Sequence, residues 1–200
     1  GSYSFIAIAV DNIGNQRQVD SVVSIDSTPP VTTVAGHAHS SIINSGSVPF
    51  NGTITDNAGV WRVVCFIRRQ ADNLYWDGTT WIVDPGAANL SSSYNSGAGT
   101  WSCTATLPQP GGTLENGVYN FIALGFDHAG NVHQSESIVT VDYHQTYVWN
   151  GSAGGAWENA GSWTPNGIPG ADDYVLINNG GTVTNNAIRS VYGFRVTNGT

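Results

Sequence analysis

The sequence predicts an all-β chain built of repeated modules, and three observations predict it. Short runs rich in Val, Ile, Thr and aromatic residues follow one another along the chain. Clusters of Gly, Pro, Asn and Asp punctuate them, and no window carries a helical period. A block of sequence also returns without gaps 116 positions later (3 to 119, 11 to 127).

The repeat sets the organisation. Tyr3-Ser4-Phe5-Ile6-Ala7 returns as Tyr119-Asn120-Phe121-Ile122-Ala123, and Asp11-Asn12-Ile13-Gly14-Asn15 as Asp127-His128-Ala129-Gly130-Asn131. Val22-Val23-Ser24-Ile25-Asp26 matches Ile138-Val139-Thr140-Val141-Asp142 at the same offset. Residues 1–27 therefore read as the last strands of one module and residues 28–143 as the next module. The chain opens in mid-domain, so the natural N-terminus is expected upstream. Two strands with a turn at Asp11–Asn15 are expected in the first segment, and their exposed faces are expected to pair with strands outside these residues.

The full module starts after Ser27-Thr28-Pro29-Pro30, since paired prolines lack ladder donors and keep the chain extended. Strands are expected at Val31–Val34, Val48–Ile54, Val60–Arg68, Asn73–Trp76, Trp81–Val83, Thr100–Leu107, Val118–Phe126 and Ser135–Val141. Asp77-Gly78 suits a tight hairpin turn between the short central pair. About seven short strands in about 115 residues is the count of an immunoglobulin-like β-sandwich. In the strand from Val60, the residues Val63, Cys65 and Ile67 are expected to face the core, with Arg62, Val64 and Arg68 opposite.

The pattern Pro29-Pro30-Val31, then Thr55-Asp56-Asn57-Ala58-Gly59-Val60, then Asn116-Gly117-Val118-Tyr119 and Asp127-His128-Ala129-Gly130-Asn131 resembles the bacterial Ig-like domains repeated in large exported surface proteins. After residue 143 the texture changes. Trp149-Asn150-Gly151 and Pro169-Gly170-Ala171-Asp172 resemble the opening of parallel β-helix regions in autotransporter-like adhesins. That resemblance implies that residues 144–200 are a cap carrying Trp149, Trp157 and Trp163, followed by first rungs at Tyr174–Ile177, Val183 and Val191–Val196. Together the resemblances imply a spacer and scaffold located outside the cell or on its surface. Its partners would be neighbouring Ig-like and β-helix modules of the same or an adjacent chain.

Charge excludes several function classes. There are fourteen acidic residues against six arginines, no lysine and a net charge of −8. Nucleic acid and anionic membranes need clustered cations, so neither is an expected partner. No apolar run approaches a membrane span, so no membrane insertion is expected. Missing lysine removes Schiff-base chemistry.

Candidate chemistry is sparse. Asp172-Asp173 is the only adjacent acidic pair, and it reads as a turn rather than as half of a glycosidase site. His37 and His39 lack a neighbouring carboxylate or thiol and make an incomplete metal set. Asp11, Asp56 and Asp127 each precede a glycine by three. Turn-forming aspartate is the simpler reading, because one carboxylate per turn falls short of the six to eight oxygens of Ca²⁺ unless other loops contribute. Cys65 and Cys103 are either buried small apolar residues or, as the exported character favours, a disulfide. Among seven tryptophans, Trp76 and Trp81 flank a hairpin; packing in the core or hairpin is the simpler reading, and contact with surface glycans is the alternative. The residues thus predict a non-catalytic structural and adhesive segment without a cofactor, Ca²⁺ at the acidic turns being the alternative to the turn reading. The alternatives are accessory modules of an extracellular polysaccharide-active enzyme, or a carbohydrate-binding module.

Overall fold

The computed structural model describes residues 1–44, 48–151 and 154–197. The chain is all-β, with one 3₁₀ turn at Ala160–Ser162 and no α-helix among the described residues. Its first strands are β1 (Ser2–Val10), β2 (Gln16–Ser24), β3 (Val31–Thr32), β4 (Ser41–Ile43), β5 (Asn51–Thr55) and β6 (Val60–Arg69). Next come β7 (Tyr75–Trp76), β8 (Trp81–Ile82), β9 (Ser92–Asn95), β10 (Thr100–Cys103), β11 (Gly117–Asp127) and β12 (Val132–Val141). The contacts divide the chain into two units, the first being Gly1–Ser40, Pro49–Leu107 and Tyr119–Val139.

In the first unit, β1 and β2 form a separate two-stranded sheet, paired from Ser2–Ser24 to Val10–Gln16. Every residue of both strands is exposed. The turn between them is held by Asp11, whose carboxylate accepts the backbone N–H groups of Ile13 (3.0 Å) and Asn15 (2.9 Å). Gly14 and Gly130, one repeat apart, both take φ of 91°, where a side chain would be strained.

Strands β3 to β12 build a sandwich of two sheets, ordered β3-β5-β10-β9 and β4-β12-β11-β6-β7-β8. Alternation along β6 buries Val63, Cys65 and Ile67 and turns Arg62, Val64 and Arg68 to the other face, as the period of two requires. Ile54, Trp101, Tyr119, Phe121 and Ala123 fill the space between the sheets. Phe50 joins them, meeting Trp101 edge-on at 5.4 Å and Phe121 at 5.1 Å. Burying each large apolar side chain contributes roughly 1.5–3 kcal/mol. The Trp101 indole N–H is satisfied by the Thr33 carbonyl at 3.1 Å, so the ring enters the core without an orphaned donor.

Two expectations fail here. The disulfide is absent: Cys65 and Cys103 are free thiols. The neighbouring Cys103 sulfur, together with burial, pushes the Cys65 thiol far above its ordinary value. Such a thiol is un-ionised and inert, and behaves as a small apolar residue. The alternative of glycan contact at the hairpin tryptophans also fails, and the packing reading holds. Trp76 is 3% exposed and donates its indole N–H to the Thr106 carbonyl (2.8 Å). Trp81 is half-buried between Trp76 at 5.4 Å and Tyr119 at 5.6 Å, with the Arg69 guanidinium over its ring. Neither ring of the pair offers a free platform.

The second unit contains Ser41–Val48, Pro108–Val118 and Thr140–Thr200. Its later strands are β13 (Thr146–Trp149), β14 (Gly155–Ala156), β15 (Trp163–Thr164), β16 (Tyr174–Ile177), β17 (Val183–Thr184) and β18 (Gly193–Val196). β13 pairs antiparallel with β15 and parallel with β16, which in turn pairs parallel with β18. β14 pairs parallel with β17. Thr146 meets Tyr174 and Gly155 meets Val183, so both ladders advance by 28 residues (174 − 146 and 183 − 155).

Trp149, Trp157 and Trp163 are buried as a cluster with Val175 and Ile177. Trp163 meets each of the other two indoles edge-on at 4.9 Å and donates its N–H to the Trp157 carbonyl (2.9 Å). Trp163→Ala is expected to cost this unit about 3–5 kcal/mol, read from urea unfolding followed by circular dichroism. A loss under about 1 kcal/mol would place the ring outside the core.

Candidate functional site

The acidic turns are where chemistry gathers. β5 ends at Thr55, and the chain reverses through Asp56-Asn57-Ala58-Gly59. Asp56 Oδ1 caps that reversal, accepting the N–H groups of Ala58 and Gly59, both at 2.8 Å. β11 ends at Asp127, whose Oδ1 accepts the N–H of Asn131 (2.8 Å) and whose Oδ2 accepts the Asn131 side-chain amide (2.7 Å). Asp26 comes from the linker after β2, where its Oδ1 accepts the N–H of Thr28 (3.1 Å) and the Asn57 amide (3.3 Å). Three separate segments thus bring Asp26, Asp56 and Asp127 together, with one carboxylate oxygen of each within 4.8 Å of the others.

Two features make this more than three turn caps. Asp127 is fully buried, and the Oδ2 atoms of Asp26 and Asp56 are buried without a hydrogen-bond donor. Among the described residues no arginine or histidine forms an ion pair with any of the three. Clustered carboxylates removed from water repel one another unless a cation or protons neutralise them. Asn131 ties the arrangement to the linker, because its amide also reaches the carbonyls of Asp26 (3.2 Å) and Thr28 (3.4 Å).

Burial raises the Asp127 carboxyl, but the Asn131 amide and the backbone N–H groups of its turn outweigh that and hold it below the usual range. The sign follows. A depressed carboxyl stabilises the fold at pH above its unfolded value of about 3.9, and the contribution is lost as pH falls through the folded value.

Sequence reasoning found two of the three clustered carboxylates. Asp56 and Asp127 meet, whereas Asp11 does not join them. It stays in its own turn on the exposed β1–β2 sheet, its carboxyl lowered chiefly by the Asn15 amide. Asp26 was the missing contributor. The signal for it was present, since the repeat aligns Asp26 with Asp142 at the end of each unit.

The other candidates disperse. The His37 ring packs against Phe121 at 5.3 Å, and burial lowers its pKa. The His39 ring nitrogen accepts the N–H of Ile138. Neither joins a group of metal-ligating side chains among the described residues. Asp173 Oδ2 accepts the N–H of Gly170 (2.7 Å), and the Asp172 carbonyl accepts from His144 at 2.6 Å. Both residues hold the turn before β16.

No family model matches the chain, and no curated protein matches it. Solved structures resemble it at low identity. One is CopC from Methylosinus trichosporium OB3b, at 9% identity and a TM-score of 0.37, covering 57% of this chain and 97% of that one. Another is a tetra-tandem repeat in the extending region of a large adhesion protein, at 20% identity and a TM-score of 0.44, covering 81% of this chain and 36% of that one. A third is a 1.5-MDa bacterial ice-binding adhesin, at 20% identity and a TM-score of 0.32, covering 70% and 42%. The chain thus spans about a third of the adhesion-protein structure.

Proposed function

We propose that this chain is a non-catalytic structural and adhesive segment of an extracellular or cell-surface protein. In this reading residues 28–143 are an Ig-like spacer, residues 1–27 the end of a preceding copy, and residues 144–200 the cap and first rungs of a β-solenoid. Asp26, Asp56 and Asp127 hold Ca²⁺ at the linker. The observation that carries the proposal is the convergence of one linker carboxylate and two turn carboxylates, with inward oxygens lacking donors. Carboxylates and carbonyls are the oxygen donors that Ca²⁺ takes, and their number answers the shortage of one carboxylate per turn. The solenoid reading is supported by the parallel stacking of β13, β16 and β18, which advances by 28 residues and then by 19, with β14 and β17 paired in parallel beside the first step.

Thermal unfolding with Ca²⁺ or with EDTA tests the proposal. At a hundred times its dissociation constant, a bound ion adds about 2.7 kcal/mol, which raises the melting temperature by several degrees. Asp26→Asn, in the linker and outside both sheets, is expected to abolish that shift while leaving the EDTA melting temperature unchanged. Equal melting temperatures with Ca²⁺ and EDTA in the unaltered protein would defeat the metal assignment.

A further inference from the structure

The outer face of the six-stranded sheet carries a second site. β6 and β11 pair residue for residue from Arg69–Tyr119 to Arg62–Phe126, and the next pair is Val60–Asp127. Trp61 is therefore an extra residue on β6, a bulge. Strict alternation would send Trp61 and Arg62 to opposite faces; the bulge lets both emerge on one side. Trp61 is 54% exposed, and Phe126 stands edge-on to it at 6.3 Å. The Arg62 guanidinium lies over both rings, 4.3 Å from the Trp61 centroid and 4.8 Å from that of Phe126.

That arrangement stacks the guanidinium on two rings while Arg62 stays exposed to solvent. No carboxylate reaches Arg62 among the described residues, although the chain has fourteen acidic side chains. From Arg62 an open groove of about 400 Å³ runs over Val64, Phe66 and Leu124, with Asn89 and Ser91 along one wall. A stacked cation without a counter-charge, beside an exposed indole and above a groove with amide and hydroxyl groups, has a definite chemical complement.

We propose that the bulge forms a binding site for a uronic-acid polysaccharide. Arg62 takes the sugar carboxylate through its paired N–H groups, and the exposed indole of Trp61 covers C–H groups of the adjoining ring. A uronate residue presents both features on one rigid unit, whereas a peptide carboxylate brings no such face. The proposal names a ligand class for the adhesive function proposed above and rests on that reading.

Titration of the full chain with hexagalacturonate, followed by calorimetry, is the test, with a neutral glucan oligomer and a poly-glutamate peptide run alongside. Saturable binding of the uronate, weakening with salt and absent for the neutral glucan, is expected. Arg62→Gln and Trp61→Ala should each weaken it at least tenfold while melting at the unaltered temperature. Absence of uronate binding, or undiminished binding by Arg62→Gln, would overturn the site. Poly-glutamate binding of equal strength that ignores Trp61→Ala would also overturn it, in favour of an acidic peptide. Asp26→Asn should retain uronate binding while losing the Ca²⁺ response. A failure of the glycan site with the Ca²⁺ response intact would therefore leave the spacer reading standing.

Discussion

Phe121→Ala is expected to lower the unfolding free energy of the sandwich by about 3–5 kcal/mol, while Phe5→Ala changes it by less than about 0.5 kcal/mol. The two residues occupy the same position of the repeat, one unit apart. Phe121 is fully buried, and Phe50 and His37 pack against its ring at 5.1 and 5.3 Å. Phe5 is 61% exposed on the isolated β1–β2 sheet. Truncating Phe121 removes buried area and leaves a cavity between two sheets that cannot collapse, whereas truncating Phe5 removes a ring already in water. Urea unfolding followed by tryptophan fluorescence measures both. Equal losses for the two variants would show that the first hairpin is packed into the sandwich, contrary to its exposure.

Gly52→Ala is the second large effect. A methyl at that position would sit 1.8 Å from the Thr33 carbonyl oxygen and 2.9 Å from the Trp101 ring. Relief would need the backbone at Thr33–Ala35, just after β3, to retreat. That backbone is held by Thr33 N–H on the Thr53 carbonyl (2.8 Å) and Ala35 N–H on the Asn51 carbonyl (2.9 Å). The methyl cannot be absorbed by a rotamer change, so a loss of about 3 kcal/mol or more is expected. Gly97→Ala, where the nearest atom to an added methyl is 3.5 Å away, serves as the control and should change stability by less than about 1 kcal/mol. A Gly52→Ala protein as stable as that control would contradict the close approach of β3 and β5.

What could be read in advance follows from where the information lies. The hairpin of residues 1–26 and its counterpart β11–β12 were legible because repetition doubles the signal and the Asp-x-x-Gly-Asn turn fixes its own geometry through local hydrogen bonds. The inward phase of β6 was legible because β-branched residues alternate there. β9, Ser-Ser-Tyr-Asn, was not, since its pairing to β10 leaves no apolar period to detect. β4, three residues long, gave no pattern at all. Expected strands at Val48–Ile54 and Thr100–Leu107 ran past the ends of β5 and β10 because apolar flanking residues such as Phe50 continue into the core beyond the paired residues.

The site was half legible for a related reason. A carboxylate in a turn is visible to local reasoning, but the meeting of Asp26 with Asp56 and Asp127 depends on three loops separated in sequence. Trp76 admitted the glycan alternative because a residue beside a tight turn is usually wet, and here the neighbouring Trp81 and the Thr106 carbonyl enclose it. Trp61 was passed over because adjacent residues in a strand normally diverge, and only a register shift in the partner strand shows that Trp61 and Arg62 emerge together.

The clamp made by Asn131 has a mechanical consequence. Its single amide holds the Asp26 and Thr28 carbonyls in the segment after β2, the joint of the proposed spacer, and Pro29 and Pro30 follow at once. Slack that a Gly/Ser connector would keep as entropy is therefore absent from this joint. A freely jointed string lengthens only as the square root of its number of links, whereas pinned joints make length grow nearly in proportion to the number of units. If the chain is the spacer proposed above, such a string has little coil left to straighten under tension, and force would pass directly to the ladders instead of being absorbed at the joints.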